Sequence, residues 1–230
     1  MKRKVSRREF MKTAATAGIM FSAGTMLLGQ GNVALAKDMQ PIRLPQPQSA
    51  DGNAFLKLLE KRQSIREYGP EPVPAAVLAG LLWAAFGINR PDGKRTAPSA
   101  RNYQEIDIYV AAADGLYLYN AKESMLKPML AQDIRELTGR QPYVKQAPIS
   151  LVYVADMSKV GSVSDEDKNL YPAADSGFIS QNVYLYCAAV GLATCVRANI
   201  DKPSLAKTMG LRPEQKITLA QAVGYPKKAT

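Results

Sequence analysis

The dipeptide Asp114-Gly115 separates two stretches of alternating pattern, Ile106, Ile108 and Val110 before it and Leu116 and Leu118 with Tyr117 and Tyr119 after it. A strand repeats every two residues, and Asp-Gly supplies the positive backbone angles that a tight hairpin demands. Two strands joined in this way lie antiparallel, so a regular parallel repeat of strand and helix cannot describe the whole chain.

The other periodic segments surround this hairpin. Residues 54–62 predict a short amphipathic helix through Phe55, Leu58 and Leu59, with Asp51 or Asn53 available as its cap. Pro74 opens a second helix running through Ala85, since a proline in the first turn sacrifices only an N–H that has no helical partner. Residues 105–113 and the stretch from Leu116 read as the hairpin strands, 128–137 as a helix, and 149–155 as a buried strand because the run is continuously apolar. Residues 173–190 read as a long apolar helix stopped by Gly191. A short strand over 193–198, a helix over 203–209 with Asp201 near its start, and a last strand over 217–223 complete the series. Helices and strands mixed with a hairpin place the chain in the α+β class.

Residues 1–36 are of a different kind. Ser6-Arg7-Arg8-Glu9-Phe10-Met11-Lys12 precedes an uncharged stretch from Thr13 to Ala36 that ends in Ala34-Leu35-Ala36. A charged start, an apolar middle and a small-residue exit are the parts of a secretory signal. The paired arginines resemble the address of the twin-arginine route, which exports folded proteins and so suits one whose cofactor is inserted first. Gly18, Gly24, Gly29 and Gly31 interrupt the apolar run, keeping it short of the roughly 18–20 residues of a membrane span. This favours a leader over an anchor, with cleavage or retention left open, and the expected destination is the periplasm. Residues 37–53, with Pro41, Pro45 and Pro47, read as an extended linker, and 54–230 as one domain.

The leader accounts for much of the chain's basicity. Six of the 30 Lys and Arg and one of the 20 Asp and Glu lie in residues 1–36, so the net charge falls from +10 to +5 without them. That and the lack of a basic run argue against a nucleic-acid partner. There is no histidine, which excludes a Ser-His-Asp triad, a Cys-His dyad and any His-bearing zinc site. Cys187 and Cys195 are the only cysteines, too few for a Cys-only metal site. One falls in a helical pattern and the other in a strand, which favours two buried thiols over a disulfide. Redox chemistry in such a chain needs an organic cofactor.

Four stretches could carry chemistry. In Arg62-Gln63-Ser64-Ile65-Arg66, an extended backbone puts 62, 64 and 66 on one side, where two guanidinium groups and a hydroxyl suit a phosphate. Ala97-Pro98-Ser99-Ala100-Arg101-Asn102-Tyr103-Gln104 offers amides that can donate and accept at the edge of a heteroaromatic ring. The third is the long helix with its exit, Asp175-Ser176-Gly177-Phe178-Ile179-Ser180-Gln181-Asn182 and then Gly191-Leu192-Ala193-Thr194-Cys195-Val196-Arg197, most of the helix itself reading as core, and the fourth is the terminal Val223-Gly224-Tyr225-Pro226-Lys227-Lys228.

In this order, those four stretches resemble the FMN-dependent nitroreductase family over about residues 54–228. Ala97-Pro98-Ser99-Ala100-x-Asn102 with the following strands is most similar to the branch containing the azoline oxidases, the thiazole/oxazole dehydrogenases. The resemblance implies a three-layer α/β/α fold with a mostly antiparallel central sheet flanked by helices, FMN as cofactor, and a domain-entwined homodimer with two sites at its interface. It assigns Arg62, Gln63, Ser64 and Arg66, with Lys227 or Lys228, to the FMN phosphate and ribityl chain. It puts Pro98, Ser99 and Asn102 beside the isoalloxazine, and the segment from about Cys195 to Arg197, Val196 and Arg197 with it, along the flavin with a backbone N–H near N5. Where many members carry Gln-Pro-Trp, this chain has Gln104-Glu105-Ile106.

The function so implied is an oxidoreductase passing electrons through flavin N5, by a ping-pong mechanism, to an organic substrate or acceptor. No catalytic side chain is assigned. A non-catalytic flavin or nucleotide carrier on the same scaffold is the alternative. An exported flavoprotein is separated from cytoplasmic NAD(P)H, so the expected donor is a membrane quinol, a partner redox protein or an organic substrate.

Overall fold

The computed structural model describes residues 53–228. The leader assigned to 1–36 and all but the last residue of the linker assigned to 37–53 lie outside the described residues.

Helix α1 (Ala54–Lys61) starts at Asn53, whose side chain accepts the N–H groups of Phe55 and Leu56. Helix α2 (Ala75–Phe86) follows Pro74. Then come β1 (Ile106–Ala112), β2 (Gly115–Asn120), β3 (Met125–Leu130) and β4 (Ile149–Asp156). The long α3 (Asp167–Val190) precedes β5 (Ala193–Arg197), α4 (Lys202–Met209) and β6 (Gln215–Gly224). Gly191, at φ 74°, ends α3 in the left-handed conformation that glycine adopts without penalty.

The six strands form one sheet in the order β3-β2-β1-β4-β6-β5, and every pairing is antiparallel. The expected hairpin is present, with Ala112 opposite Gly115, but its turn is Ala113-Asp114 and neither Asp114 nor Gly115 takes a positive φ. Strand β4 is buried along all eight residues, as its unbroken apolar run requires. Its alternate residues feed two cores. On one face Leu151, Tyr153 and Ala155 join Ile106, Ile108 and Val110 against Leu81, Phe86, Ile179 and Val183 of α2 and α3. On the other, Val152 and Val154 join Tyr109, Leu116 and Ile134 against Leu205 and Met209 of α4. Helix layers thus cover both faces of a central antiparallel sheet.

Two expectations are corrected. Residues 128–137 are not a helix. Residues 125–130 form β3, which pairs Pro128 with Tyr117, and only a short 3₁₀ turn follows at Arg135–Thr138. Proline is tolerated because β3 is an edge strand whose missing N–H costs no ladder bond. The turn into β3 is built by Asn120, whose side chain accepts the N–H groups of Lys122 and Glu123. Second, α3 begins at Asp167 rather than near 173, with Pro172 inside its second turn. There the proline removes one hydrogen bond without ending a helix of 24 residues that packs along its length.

Candidate functional site

Residues 62–66 are extended, as expected, and run beside β5: the Ile65 N–H donates to the Thr194 carbonyl at 3.0 Å. Ile65 turns inward to pack with Tyr68, Ala147, Ala193 and Ala222. Its neighbours of opposite parity engage α3 and β5. The Arg62 guanidinium lies 5.5 Å from the centre of the Tyr184 ring, and Ser64 Oγ is 2.8 Å from the Tyr184 hydroxyl. That hydroxyl also accepts the Val196 N–H at 3.0 Å. Tyr184 is therefore the joint between α3, the 62–66 segment and β5. Arg66 is exposed, and Cys195 first and Tyr143 after it push its guanidinium up from its ordinary value. Gln63 is exposed beside them.

The chain's end returns to the same place. Tyr68 bridges Pro226, and the Lys227 N–H donates to the Glu67 carbonyl at 3.1 Å, which sets Lys227 next to the 62–66 segment. Arg197 lies inside, 5% exposed. Its Nε donates to the Thr138 carbonyl at 2.9 Å and its Nη2 to the hydroxyls of Thr138 and Ser150. Its Nη1 is buried with no partner. Gly139 makes room for this side chain, since an added Cβ would strike Arg197 Nε. Among the described residues, Arg62, Arg66, Arg197 and Lys227 form no ion pair. Four cations with a hydroxyl, none of the four in an ion pair among the described residues, form a donor set suited to a phosphorylated ligand.

The turn from Pro98 to Gln104 stands elsewhere. The Ala100 N–H donates to Asp175 on α3 at 2.9 Å. Asp175 precedes Tyr184 by nine residues, about 13 Å along the helix axis. The turn is strained: Arg101, Asn102 and Gln104 have φ of 50°, 57° and 50°, a region asparagine visits readily and arginine and glutamine do not. Its hydrogen bonds over-determine that shape. The Gln104 N–H donates to Ser99 Oγ at 2.8 Å, Arg95 Nε donates to Gln104 Oε1 at 2.7 Å, and Gln104 Nε2 donates to Asn102 Oδ1 at 3.0 Å. Backbone strain maintained by its surroundings is characteristic of functional sites. Pro98 and Asn102 are exposed, and Ser99 is half-buried.

One chain thus assembles Arg62, Gln63, Ser64, Arg66, Val196, Arg197 and Lys227, and keeps Pro98, Ser99 and Asn102 apart from them. Of the 195–197 segment expected to offer a backbone N–H to a flavin, the Val196 N–H is taken by Tyr184, and the Arg197 side chain points into the domain. Tyr184, Tyr143 and Glu105 were absent from the expected set, and Asp175 entered it only within a stretch of helix read as core.

A family model described as the nitroreductase family matches residues 59–225. The chain belongs to the nitroreductase family. MJ1384 of Methanocaldococcus jannaschii, named as a nitroreductase, is 31% identical over 147 residues, which cover 60% of this chain and 74% of that protein. The FMN reductase [NAD(P)H] of Bacillus subtilis is 27% identical, over 64% of this chain and 49% of that enzyme. Among solved structures, the nitroreductase-family protein reut_a1228 of Ralstonia eutropha JMP134 superposes with a TM-score of 0.74 at 37% identity, covering 82% of this chain and 90% of that one. Nitroreductase membership accords with the antiparallel three-layer architecture and with the sequence resemblance. Among the described residues no helix is long and apolar enough to cross a membrane.

Proposed function

We propose that this protein is an FMN-dependent oxidoreductase, exported folded to the periplasm, that moves electrons by a ping-pong cycle between a donor of the cell envelope and a small organic substrate. The observation that carries the reading is the gathering of Arg62, Arg66, Arg197 and Lys227 with Ser64, none of the four cations in an ion pair among the described residues. These groups fit a phosphate monoester: Arg62 and Arg66 would grip its oxygens in paired fashion, Ser64 would donate a hydroxyl, and Lys227 would add a flexible charge. The orphaned Arg197 Nη1 fits the same reading, because a buried donor without an acceptor is costly unless a ligand supplies one. FMN reduction by the named Bacillus relative supports the choice of cofactor. When bound, FMN would supply the two-electron chemistry that the side chains gathered here do not.

The partner in this reading is a second copy of the chain. Leu170, Ala174 and Phe178 occupy one outward stripe of α3, and Leu170 and Phe178 are 55% and 48% exposed. Trp83 on α2 and Phe55 on α1 are also exposed. A contiguous apolar stripe of this kind marks an interface. A homodimer sealed there would bring the Pro98–Asn102 turn of one copy toward the cationic end of the other, reuniting two halves that a single chain keeps about 13 Å apart along α3. The Ala97–Asn102 sequence supports an azoline-oxidase-like branch, in which the organic substrate is oxidised.

The test is the visible spectrum of the natively exported protein, followed by anaerobic addition of single reductants. A bound flavin bleached by a quinol analogue and not by micromolar NADH or NADPH is expected. Protein that stays colourless after FMN is supplied overturns the cofactor. Rapid bleaching by NAD(P)H overturns the envelope donor, and flavin that no reductant bleaches favours a carrier. Export is checked separately: Arg7→Lys with Arg8→Lys should leave the protein in the cytoplasm.

A further inference from the structure

Beneath the strained turn lie two acidic side chains facing one another. Glu105, just before β1, is fully buried, and Asp175, on the inner face of α3, is 2% exposed. Each holds the turn from below. Glu105 Oε2 accepts the Ser99 hydroxyl at 3.1 Å, and Asp175 Oδ2 accepts the Ala100 N–H at 2.9 Å. Ser99 Oγ in turn accepts the Gln104 N–H at 2.8 Å. The remaining Glu105 oxygen, Oε1, has no donor, although the carboxyl is within hydrogen-bonding reach of Asp175.

Two ionised carboxylates cannot bond to each other, and neither has a counter-charge. Among the described residues no ion pair includes Glu105 or Asp175. The polar groups arriving from neighbouring elements are engaged elsewhere. Arg95 reaches Gln104 and the Phe86 carbonyl, and Arg212 is bound to Asp156, whose N–H goes to the Glu105 carbonyl. A single proton on Oε1 resolves the contact, satisfying the orphaned oxygen and removing one of two buried charges.

We propose that Glu105 carries a proton donated to Asp175, and that this acid pair is the positioning device holding the Pro98–Gln104 turn in its left-handed shape. Glu105 is a positioning residue acting through Ser99. Its loss of the proton would set two buried anions against each other and release the turn. Burial first, and the neighbouring Asp175 after it, push the Glu105 carboxyl up to about 7. The turn is therefore pH-responsive near neutrality. The consequence for the flavin site rests on the function proposed above, and the proton and the turn do not.

Both are tested in the flavin-free protein. Amide hydrogen exchange at Ala100 and Gln104, corrected for the intrinsic pH dependence, should show protection at pH 6 that falls on the order of ten-fold by pH 8.5, the equivalent of one hydrogen bond. Infrared difference spectra should show a protonated carboxyl lost over the same range. Glu105→Gln offers an amide donor to Asp175 and a carbonyl to Ser99, so it should keep the protection at both pH values and lack the infrared band. Absence of that band from the parent protein overturns the proposal. So does protection in Glu105→Gln that still falls with pH. FMN titrations at the two pH values form a separate arm. No FMN binding at either pH overturns the proposed cofactor while the exchange data still decide the acid pair.

Discussion

Replacing Tyr184 by phenylalanine isolates the joint on which the proposed phosphate site depends. The ring stays, and with it the packing of α3 and the face opposite Arg62, 5.5 Å away. Two hydrogen bonds go: the one to Ser64 Oγ at 2.8 Å and the one from the Val196 N–H at 3.0 Å. Ser64 is exposed and Val196 half-buried, so water replaces the first bond more easily than the second. At about 1 kcal/mol for each net hydrogen bond, folding should lose about 1–2 kcal/mol. For a domain of this size that lowers Tm by about 2–8 °C.

The larger interest is in binding. If Tyr184 acts by holding Ser64, the variant should bind FMN about five- to ten-fold more weakly, the loss of about 1 kcal/mol. Quenching of free FMN fluorescence measures this directly. Ser64→Ala should weaken binding by a similar factor, and the double variant should do little worse than either single one, because residues in contact do not act independently. A loss under two-fold in Tyr184→Phe, or losses that add in the double variant, would refute the joint.

Three further outcomes are expected. Arg62→Ala and Arg66→Ala should each weaken FMN binding by about 1–3 kcal/mol, the range for a lost bond to a charged group, with normal far-UV circular dichroism. Phe178→Glu should shift sedimentation equilibrium from dimer to monomer and reduce FMN occupancy with it, because a charge in the outward stripe of α3 opposes burial. Glu105, pushed up to about 7, binds its proton more tightly folded than unfolded. The stability it contributes is full below about pH 4.5 and is lost as pH rises through about 7, about 3 kcal/mol in all. Urea melts of the flavin-free protein should show that fall, and Glu105→Gln should flatten it.

The parts of the fold legible in the sequence are those fixed by local rules. Asp114-Gly115 announced a break between two alternating runs, and the hairpin is there although its turn is Ala113-Asp114 with no positive φ, while Asn53 and Gly191 marked helix ends. Residues 128–137 misled because Pro128 sits as readily at the start of a helix as on an edge strand, and nothing local separates the two. The α3 start was hidden by Pro172, a residue that marks boundaries more often than it sits inside a helix. Of the candidate site, Arg62, Ser64 and Arg66 were legible because period two orders them on one side of a strand. The burial of Arg197 was not, since its acceptors lie 47 and 59 positions away, on Ser150 and Thr138.

Sequence distance also explains why Tyr184 and Glu105 escaped notice and why Asp175 was read as part of a core helix. Tyr184 meets Ser64 across 120 positions, and Asp175 meets Ala100 across 75. A hydrophobic pattern reports which face of an element is buried and says nothing of which polar partner awaits there. One signal was nevertheless available for Asp175. It occupies the same helical stripe as Ile179 and Val183, four and eight residues on, so the periodicity that buries those two buries a carboxylate with them. A charge cannot be taken from water without a partner or a proton. An acidic residue on the apolar face of a helix thus predicts a second polar group opposite it before any coordinates are known. Here that group is another acid, and the pairing is stable only when a proton comes with it.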